Sequence, residues 1–149
     1  MQQITTIDSL LNQKAPTLWS IAPAATVFDA IKLMSDKNIG ALPVMNGGRL
    51  VGIFSERDYT RKVVLKGKSS KTTAVQEIIS NPVISVTPNH TVEECMRLMT
   101  EHRIRHLPVI DGDRVVGILS IGDLVNWIIS SQHVAIEQME HYISGTYPG

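Results

Sequence analysis

The amino-acid sequence predicts an α/β (α+β) fold made of two copies of one β-α-β-β-α unit, with small sheets covered by helices. Three observations predict it. The chain repeats itself at a spacing of 65 residues, each copy has helix-spaced apolar residues behind a threonine, and each copy then has two short apolar runs around a turn. Strands that alternate with helices in this way are typical of small sheets with helices packed on them.

The repeat is visible without any gap. Residues 19–61 align with residues 84–126 at 17 identities in 43 positions. Both copies contain a Leu-Pro-Val triplet, a Val-Gly-Ile triplet and a closing Ser-x-x-Asp motif. We therefore expect one two-part module: residues 1–75 form an N-terminal extension and the first copy, and residues 76–149 form the second copy and a C-terminal helix.

Each copy begins with a predicted strand, near residues 18–22 or 83–87, and continues into a helix. Thr26 and Thr91 are the predicted N-caps, because a threonine hydroxyl can accept a hydrogen bond from a free backbone N–H at a helix start. The apolar residues behind each threonine follow the spacing of one helical face, so we expect them in the core. They are Val27, Ala30, Ile31 and Met34 in the first copy and Val92, Cys95, Met96 and Met99 in the second.

A hairpin and a second helix complete each copy. Asn46-Gly47-Gly48 and Asp111-Gly112-Asp113 separate the two apolar runs, and tight hairpin turns require the positive φ that such residues tolerate. The second helix is predicted to begin at Ser55 or Ser120. A terminal helix that seeks a partner surface is predicted from apolar residues near helical spacing. These are Val134, Ile136, Met139, Tyr142 and Ile143.

The composition excludes several classes of protein. Fourteen basic and fourteen acidic residues give a formal charge of zero, so no overall basic field attracts nucleic acid or an anionic membrane. No apolar run approaches the length of about 20 residues that crosses a bilayer. The single cysteine, Cys95, cannot form an internal disulfide and the N-terminus does not resemble a signal peptide, so we expect a reducing, cytoplasmic compartment.

The motifs Ser55-Glu56-Arg57-Asp58 and Ser120-Ile121-Gly122-Asp123 allow two interpretations. In one, serine and aspartate form a capping box that stabilises the helix by about 1 kcal/mol. In the other, the helix start offers N–H groups to a phosphate and the aspartate accepts from both hydroxyls of a ribose. Both interpretations stay open.

No catalytic residue and no metal site is predicted. His102 and His106 are four residues apart, but a proline follows at Pro108, where a helix should already have ended. Cys95 lies on the inward face of its helix, which predicts a core residue and not a nucleophile.

The motifs resemble a tandem pair of CBS domains (a Bateman module), and the sequence is most similar to small stand-alone bacterial CBS-pair proteins. The matching elements extend from about Trp19 to Trp127, which is nearly the whole chain. The resemblance implies pseudo-twofold packing of the two copies. It also implies two clefts, each built from the Ser-x-x-Asp motif of one copy and the strand edges of the other.

The resemblance further implies which residues line each cleft. One cleft would contain Pro16, Ile39, Gly40, Ala41, Ser120, Gly122 and Asp123. The other would contain Ser55, Arg57, Asp58, Arg61, Pro82, Val83, Ile104, Arg105 and His106. The aspartates would hold ribose hydroxyls, the serines would approach phosphate, and strand-edge backbone would bind adenine. Arg57, Arg61, Arg103 and Arg105 are candidates for phosphate, because a guanidinium group donates two parallel charge-assisted hydrogen bonds.

We therefore expect a non-catalytic sensor that binds AMP, NAD(H) or ATP, with AMP and NAD ranked first, and that signals to an unidentified regulated protein. The alternative is a structural dimerisation or interaction module with no physiological nucleotide ligand. A homodimer is expected because units of about 60 residues seldom close a core alone. Trp127→Glu is expected to break that dimer by burying an unpaired charge. Nucleic acid and membrane are not expected as partners.

Overall fold

The computed structural model describes residues 5–12, 18–79 and 83–144. The helices are α1 (Asp8–Leu11), α2 (Val27–Lys37), α3 (Glu56–Asp58), α4 (Val92–His102) and α5 (Ile121–Ser144), with a π-helix over Tyr59–Val64 and a 3₁₀ turn over Val75–Glu77. The strands are β1 (Ala41–Asn46), β2 (Arg49–Ser55), β3 (His106–Asp111) and β4 (Arg114–Ser120). This mixture of helices and small antiparallel sheets confirms the predicted fold class.

The first helix of each copy is capped as the sequence predicts. The Thr26 hydroxyl accepts from the backbone N–H of Asp29 at 3.1 Å, and the Thr91 hydroxyl accepts from that of Glu94 at 3.0 Å. Each helix is followed by a C-cap residue in the left-handed conformation with φ of 54°, Asn38 after α2 and Arg103 after α4. The predicted inward faces are buried, with Ile31 and Met96 at their edges.

The two hairpins are also confirmed. Strand β1 pairs antiparallel with β2 around Gly47 and Gly48, whose φ values of 60° and 81° have the signs of a type I′ turn. Strand β3 pairs with β4 in the same register, but there only Gly112 of the two turn residues has a positive φ, 64°. That pattern fits a type II′ turn, which needs glycine only at its first central position.

The prediction that each copy begins with an extended strand is wrong. Ile21 and Val86 each form one parallel bridge, to Val44 and Val109. Ile21 donates to the carbonyl of residue 43 and accepts from the N–H of residue 45, at 3.1 and 2.9 Å. The next ladder hydrogen bond would need an N–H from Pro23, and a proline has none. Pro88 ends the second bridge in the same way.

The segments that precede the two copies exchange places. Ile7 and Leu10 lie in the apolar core of the second copy, although the first copy follows them in sequence. The backbone N–H of Ile7 donates to the carbonyl of His90 at 2.9 Å, and the N–H of Val92 donates to the carbonyl of Thr5 at 3.0 Å. The second copy therefore closes its core with the N-terminal segment of the chain.

The equivalent segment before the second copy packs on the first. Val75 and Ile78 lie in the core of the first copy, and the N–H of Val75 donates to the carbonyl of Ala25 at 2.9 Å. Residues 7–11 match residues 75–79 at an offset of 68, not 65, so the ungapped alignment does not find them. The two copies are thereby interlocked.

The second helices differ between the copies. Ser55 and Ser120 precede them, as predicted, but α3 passes after three residues into the π-helix, whereas α5 is 24 residues long. Of the apolar tail residues, only the side chain of Met139 is described, and it is exposed. The side chains of Val134, Ile136, Tyr142 and Ile143 lie outside the described residues.

Cys95 is expected to resist thiol reagents in the folded protein. It is fully buried, and burial, with a smaller contribution from the charge of Glu94, raises the pKa of its thiol to about 11. Since the thiolate is the reactive form, labelling at pH 8 should proceed only through opening of the second copy. The release of thionitrobenzoate from Ellman's reagent tests this. Labelling of the native protein at the rate of the urea-unfolded chain would contradict it.

Candidate functional site

Two clefts lie between the copies of the repeat. We call them the Asp58 cleft and the Asp123 cleft, and their volumes are about 380 and 590 Å³. The walls of the Asp58 cleft are Ile53, Ser55, Arg57, Asp58, Arg61, Lys62, Val83, Ile84, His102, Arg103, Ile104, Arg105 and His106. The walls of the Asp123 cleft are Leu11, Leu18, Trp19, Lys37, Asn38, Ile39, Gly40, Ala41, His106, Val116, Gly117, Ile118, Ser120 and Asp123.

The predicted residues come together across the copies. The Asp58 cleft contains its predicted residues Ser55, Arg57, Asp58, Arg61, Val83, Ile104, Arg105 and His106. The Asp123 cleft contains Ile39, Gly40, Ala41, Ser120 and Asp123. Pro16 and Pro82 lie outside the described residues. Gly122 is exposed in the first turn of α5, and without a side chain it does not reach the cleft wall.

Several wall residues were not predicted, although the repeat could have indicated some of them. Leu18 aligns with the predicted Val83, and Asn38 with the phosphate candidate Arg103, so the symmetry of the repeat points to both. Leu11 reaches the Asp123 cleft only because of the exchanged segment. No signal in one sequence places it there.

Both Ser-x-x-Asp motifs form the predicted capping interaction. Asp58 Oδ2 accepts from the Ser55 backbone N–H at 2.9 Å and from its hydroxyl at 3.0 Å. Asp123 Oδ2 accepts from the backbone N–H of Ser120 at 2.8 Å. Asp58 Oδ1 lies 3.4 Å from Lys62 Nζ. These contacts hold each carboxylate in one orientation at the wall of its cleft.

The first N–H of each second helix is already hydrogen-bonded. Glu56 donates its backbone N–H to the carbonyl of Gly40 at 3.1 Å, and Ile121 donates to the carbonyl of Arg105 at 2.8 Å. The serine hydroxyls also accept from the N–H groups of the two aspartates. The helix starts therefore offer a phosphate fewer N–H groups than an uncapped helix would.

The charges of the two clefts differ strongly. Among the described wall residues, the Asp58 cleft holds five guanidinium or ammonium groups against one carboxylate, a formal charge of +4 with its histidines neutral. Among those of the Asp123 cleft, the charges of Lys37 and Asp123 cancel. Burial, and then repulsion by Arg61 and Arg105, lowers the pKa of Arg57. An anion in the Asp58 cleft would relieve this repulsion.

Arg57 links the two copies across the Asp58 cleft. Its Nη1 donates to the backbone carbonyl of Arg103, the C-cap residue of α4, at 3.3 Å. The matching position in the second copy is Gly122, which has no side chain to form such a link. The smaller cleft is thus the one that carries this hydrogen bond.

His106 is a wall shared by both clefts. It was predicted only for the Asp58 cleft, but its side chain also reaches the Asp123 cleft beside Gly40. A Cβ atom on Gly40 would lie 3.3 Å from His106 Nε2. Any side chain at position 40 would therefore press on the imidazole. This explains why the first copy has a glycine at the position that aligns with the larger Arg105 of the second copy.

Trp19 gives the Asp123 cleft an aromatic edge. Lys37 Nζ lies 4.2 Å from the centre of the Trp19 ring, within the range of a cation–π interaction. Its fluorescence is therefore a natural reporter on this cleft.

Within residues 5–12, 18–79 and 83–144, no group of three or more His, Cys, Asp and Glu side chains could hold a metal ion. None of the helices in these ranges has the length and apolarity to span a membrane.

Comparison with known proteins gives consistent matches along the chain. The family model for the CBS domain matches residues 15–65 and 75–130. A mitochondrial CBS domain-containing protein from Arabidopsis thaliana is 40% identical over an alignment of 153 positions that covers 96% of this chain and 74% of the relative.

Solved structures extend the match to the fold. A CBS-domain protein from Burkholderia ambifaria is 50% identical, with a TM-score of 0.82 over 86% of this chain and 96% of the other. A CBS domain pair in complex with 5′-methylthioadenosine and S-adenosyl-L-methionine has a TM-score of 0.73 at 25% identity, over 87% of this chain and 99% of the other.

Proposed function

Because this chain belongs to the CBS-domain family, we propose that it is a non-catalytic regulatory module that binds adenosine nucleotides in its two clefts. AMP and NAD are the leading ligands, and ATP is a further one. The observation that carries the proposal is the crossed construction of the clefts: each Ser-x-x-Asp motif faces the strand edge of the other copy. The complex of a related pair with two adenosine compounds supports this ligand class.

Each part of an adenosine nucleotide has a suitable partner in the clefts. The half-buried carboxylates of Asp58 and Asp123 can accept from ribose hydroxyls. The backbone of residues 39–41 and 104–106 can hydrogen-bond the adenine edge, with Ile39 or Ile104 against the ring face. The arginines of the Asp58 cleft can donate to phosphate.

A ligand that touches both copies also has a route to an output. It would favour one arrangement of the copies over another, and a partner protein that binds that arrangement would sense the nucleotide. We propose that the chain acts as a homodimer in a reducing, cytoplasmic compartment, where its one described cysteine stays a buried thiol.

The second candidate is a structural module without a nucleotide ligand. The capping contacts favour it, because Asp58 Oδ2 and Asp123 Oδ2 are already hydrogen-bonded without a ligand. In this case the aspartates would only stabilise helices.

Asp58→Ala and Asp123→Ala distinguish the two candidates by isothermal titration with AMP. If the aspartates hold ribose, each substitution should weaken its own site by about 1.5–3 kcal/mol, since a charge-assisted hydrogen bond is lost. Glu94→Ala is the matched control: Glu94 forms the same kind of capping box on α4 but lines neither cleft. It should cost about 1 kcal/mol of stability and no affinity. Unchanged AMP affinity in both aspartate variants would reject the ribose role.

A further inference from the structure

The walls of the Asp58 cleft carry more positive charge than a single phosphate requires. Arg57 and Arg61 extend from the helical segment after β2, and Arg103 and Arg105 from the loop before β3. Lys62 adds a fifth cation. The cations thus approach the cavity from both copies. In the part of the Asp123 cleft that the structure describes, Lys37 is the one basic residue besides His106, and Asp123 balances its charge.

We propose that the two clefts select ligands by charge: the Asp58 cleft binds the metal-free polyphosphate chain of a nucleoside di- or triphosphate, and the Asp123 cleft binds an adenosine compound of low charge. This inference rests on the proposed function and deepens it. It assigns a ligand class to each cleft, and it makes the two sites respond to different molecules.

The N–H groups at the helix start are too few to bind a phosphate chain by themselves. We therefore expect the phosphates to bind the arginines. The N–H groups of Glu56 and Asp58 are already used, by the Gly40 carbonyl and by the Ser55 hydroxyl. Guanidinium groups bind phosphate oxygens through parallel charge-assisted hydrogen bonds. Arg61 and Arg105 both repel Arg57 in the cleft, and each added phosphate neutralises more of this repulsion. Affinity should therefore rise with the number of phosphates.

The same walls favour a polyphosphate without its magnesium ion. Magnesium needs oxygen ligands in near-octahedral geometry. Among the described walls of this cleft the one carboxylate is Asp58, which accepts from Ser55 and lies beside Lys62. Magnesium would also cancel the charge that the arginines pair with. Binding of Mg²⁺ to the polyphosphate chain should therefore weaken its affinity for the Asp58 cleft.

A titration series tests the inference: adenosine, AMP, ADP and ATP, each with EDTA and with excess Mg²⁺. With EDTA, the dissociation constant at the Asp58 cleft should fall at least about tenfold from AMP to ATP, and less at high salt. Excess Mg²⁺ should remove most of this gain. Inorganic tripolyphosphate should compete with ATP at this site and leave adenosine at the other site in place.

Two variants assign the effect to its cleft. Arg61→Ala with Arg105→Ala should abolish the gain from AMP to ATP while adenosine still binds. Lys37→Ala, the matched loss of a cation from the Asp123 cleft, should leave the increase in affinity from AMP to ATP unchanged. The fluorescence of Trp19 should change only when the ligand of low charge binds. Circular dichroism melts of each variant confirm that it is folded.

The outcomes separate this inference from the proposed function. Equal affinity for AMP and ATP, or tighter binding with Mg²⁺, overturns the inference but leaves nucleotide binding intact. Binding of tripolyphosphate without any adenosine compound overturns the proposed function and supports the charge of the cleft as its selective feature. If neither adenosine compounds nor tripolyphosphate bind, both are overturned.

Discussion

Replacing Ile7 or Leu10 with alanine is expected to loosen the second copy of the repeat, although both residues precede the first copy in sequence. Ile7 is fully buried and Leu10 nearly so, in one core with Val92, Met99 and the hairpin β3–β4. Removing such a side chain typically costs about 2–5 kcal/mol, because transfer energy is lost and a cavity remains. Chemical unfolding measures the loss in the free energy of unfolding, and hydrogen exchange shows which amides become less protected.

Ile78→Ala is the reciprocal control. Ile78 occupies the matching position in the core of the first copy, so its loss should expose the amides of β1–β2 more than those of β3–β4. Leu10→Ala should do the opposite. A loss below about 1 kcal/mol, or faster exchange mainly in the first copy after Leu10→Ala, would contradict the exchanged arrangement.

The second large effect is expected at the exposed face of α5. Ile121, Val125 and Ile129 follow one another at intervals of four residues and are 40%, 40% and 57% exposed. Such a stripe lies on one side of a helix and exposes apolar area, which the same stripe of a partner protomer would cover in a dimer. Val125→Glu with Ile129→Glu should therefore convert a dimer of about twice 16.4 kDa into a monomer.

Light scattering at micromolar protein measures this change. The matched control is Asn126→Glu with Ser130→Glu, which adds the same two charges at the same spacing but beside the stripe. That control should remain a dimer. Trp127→Glu, which the sequence suggested, is a poor probe, because Trp127 is partly buried against the core of the second repeat and its replacement would also destabilise the fold. A monomeric wild-type protein would contradict the proposal.

The parts of the fold that local chemistry determines could be predicted from the sequence. The caps at Thr26 and Thr91 and the starts at Ser55 and Ser120 depend on contacts within about four residues. The hairpins depend on glycine in their turns. The clefts were implied by the resemblance to CBS pairs, and the repeat relates their residues in pairs, since a residue in one copy has an aligned partner in the other.

The remaining features depend on contacts between distant segments. The ungapped repeat alignment does not show the exchange of residues 7–11 and 75–79, because their offset differs by three residues from that of the motifs. Packing between distant segments determines this exchange, and local conformational preference does not. The shared position of His106 between two clefts, and the hydrogen bond from Arg57 to the Arg103 carbonyl, depend on how the copies dock. Sequence patterning shows which residues are polar, but not which carbonyl they meet.

Chemical-shift mapping of the unmodified protein with AMP tests whether both clefts bind an adenosine nucleotide. The ¹⁵N-labelled chain is titrated, and its backbone amide signals are followed to saturation. We expect saturable shifts at both crossed clefts, at residues 39–41 with Ser120 and at residues 104–106 with Ser55, and little change on the outer face of α5. Spectra that stay unchanged at millimolar AMP, or shifts confined to α5, would contradict this expectation.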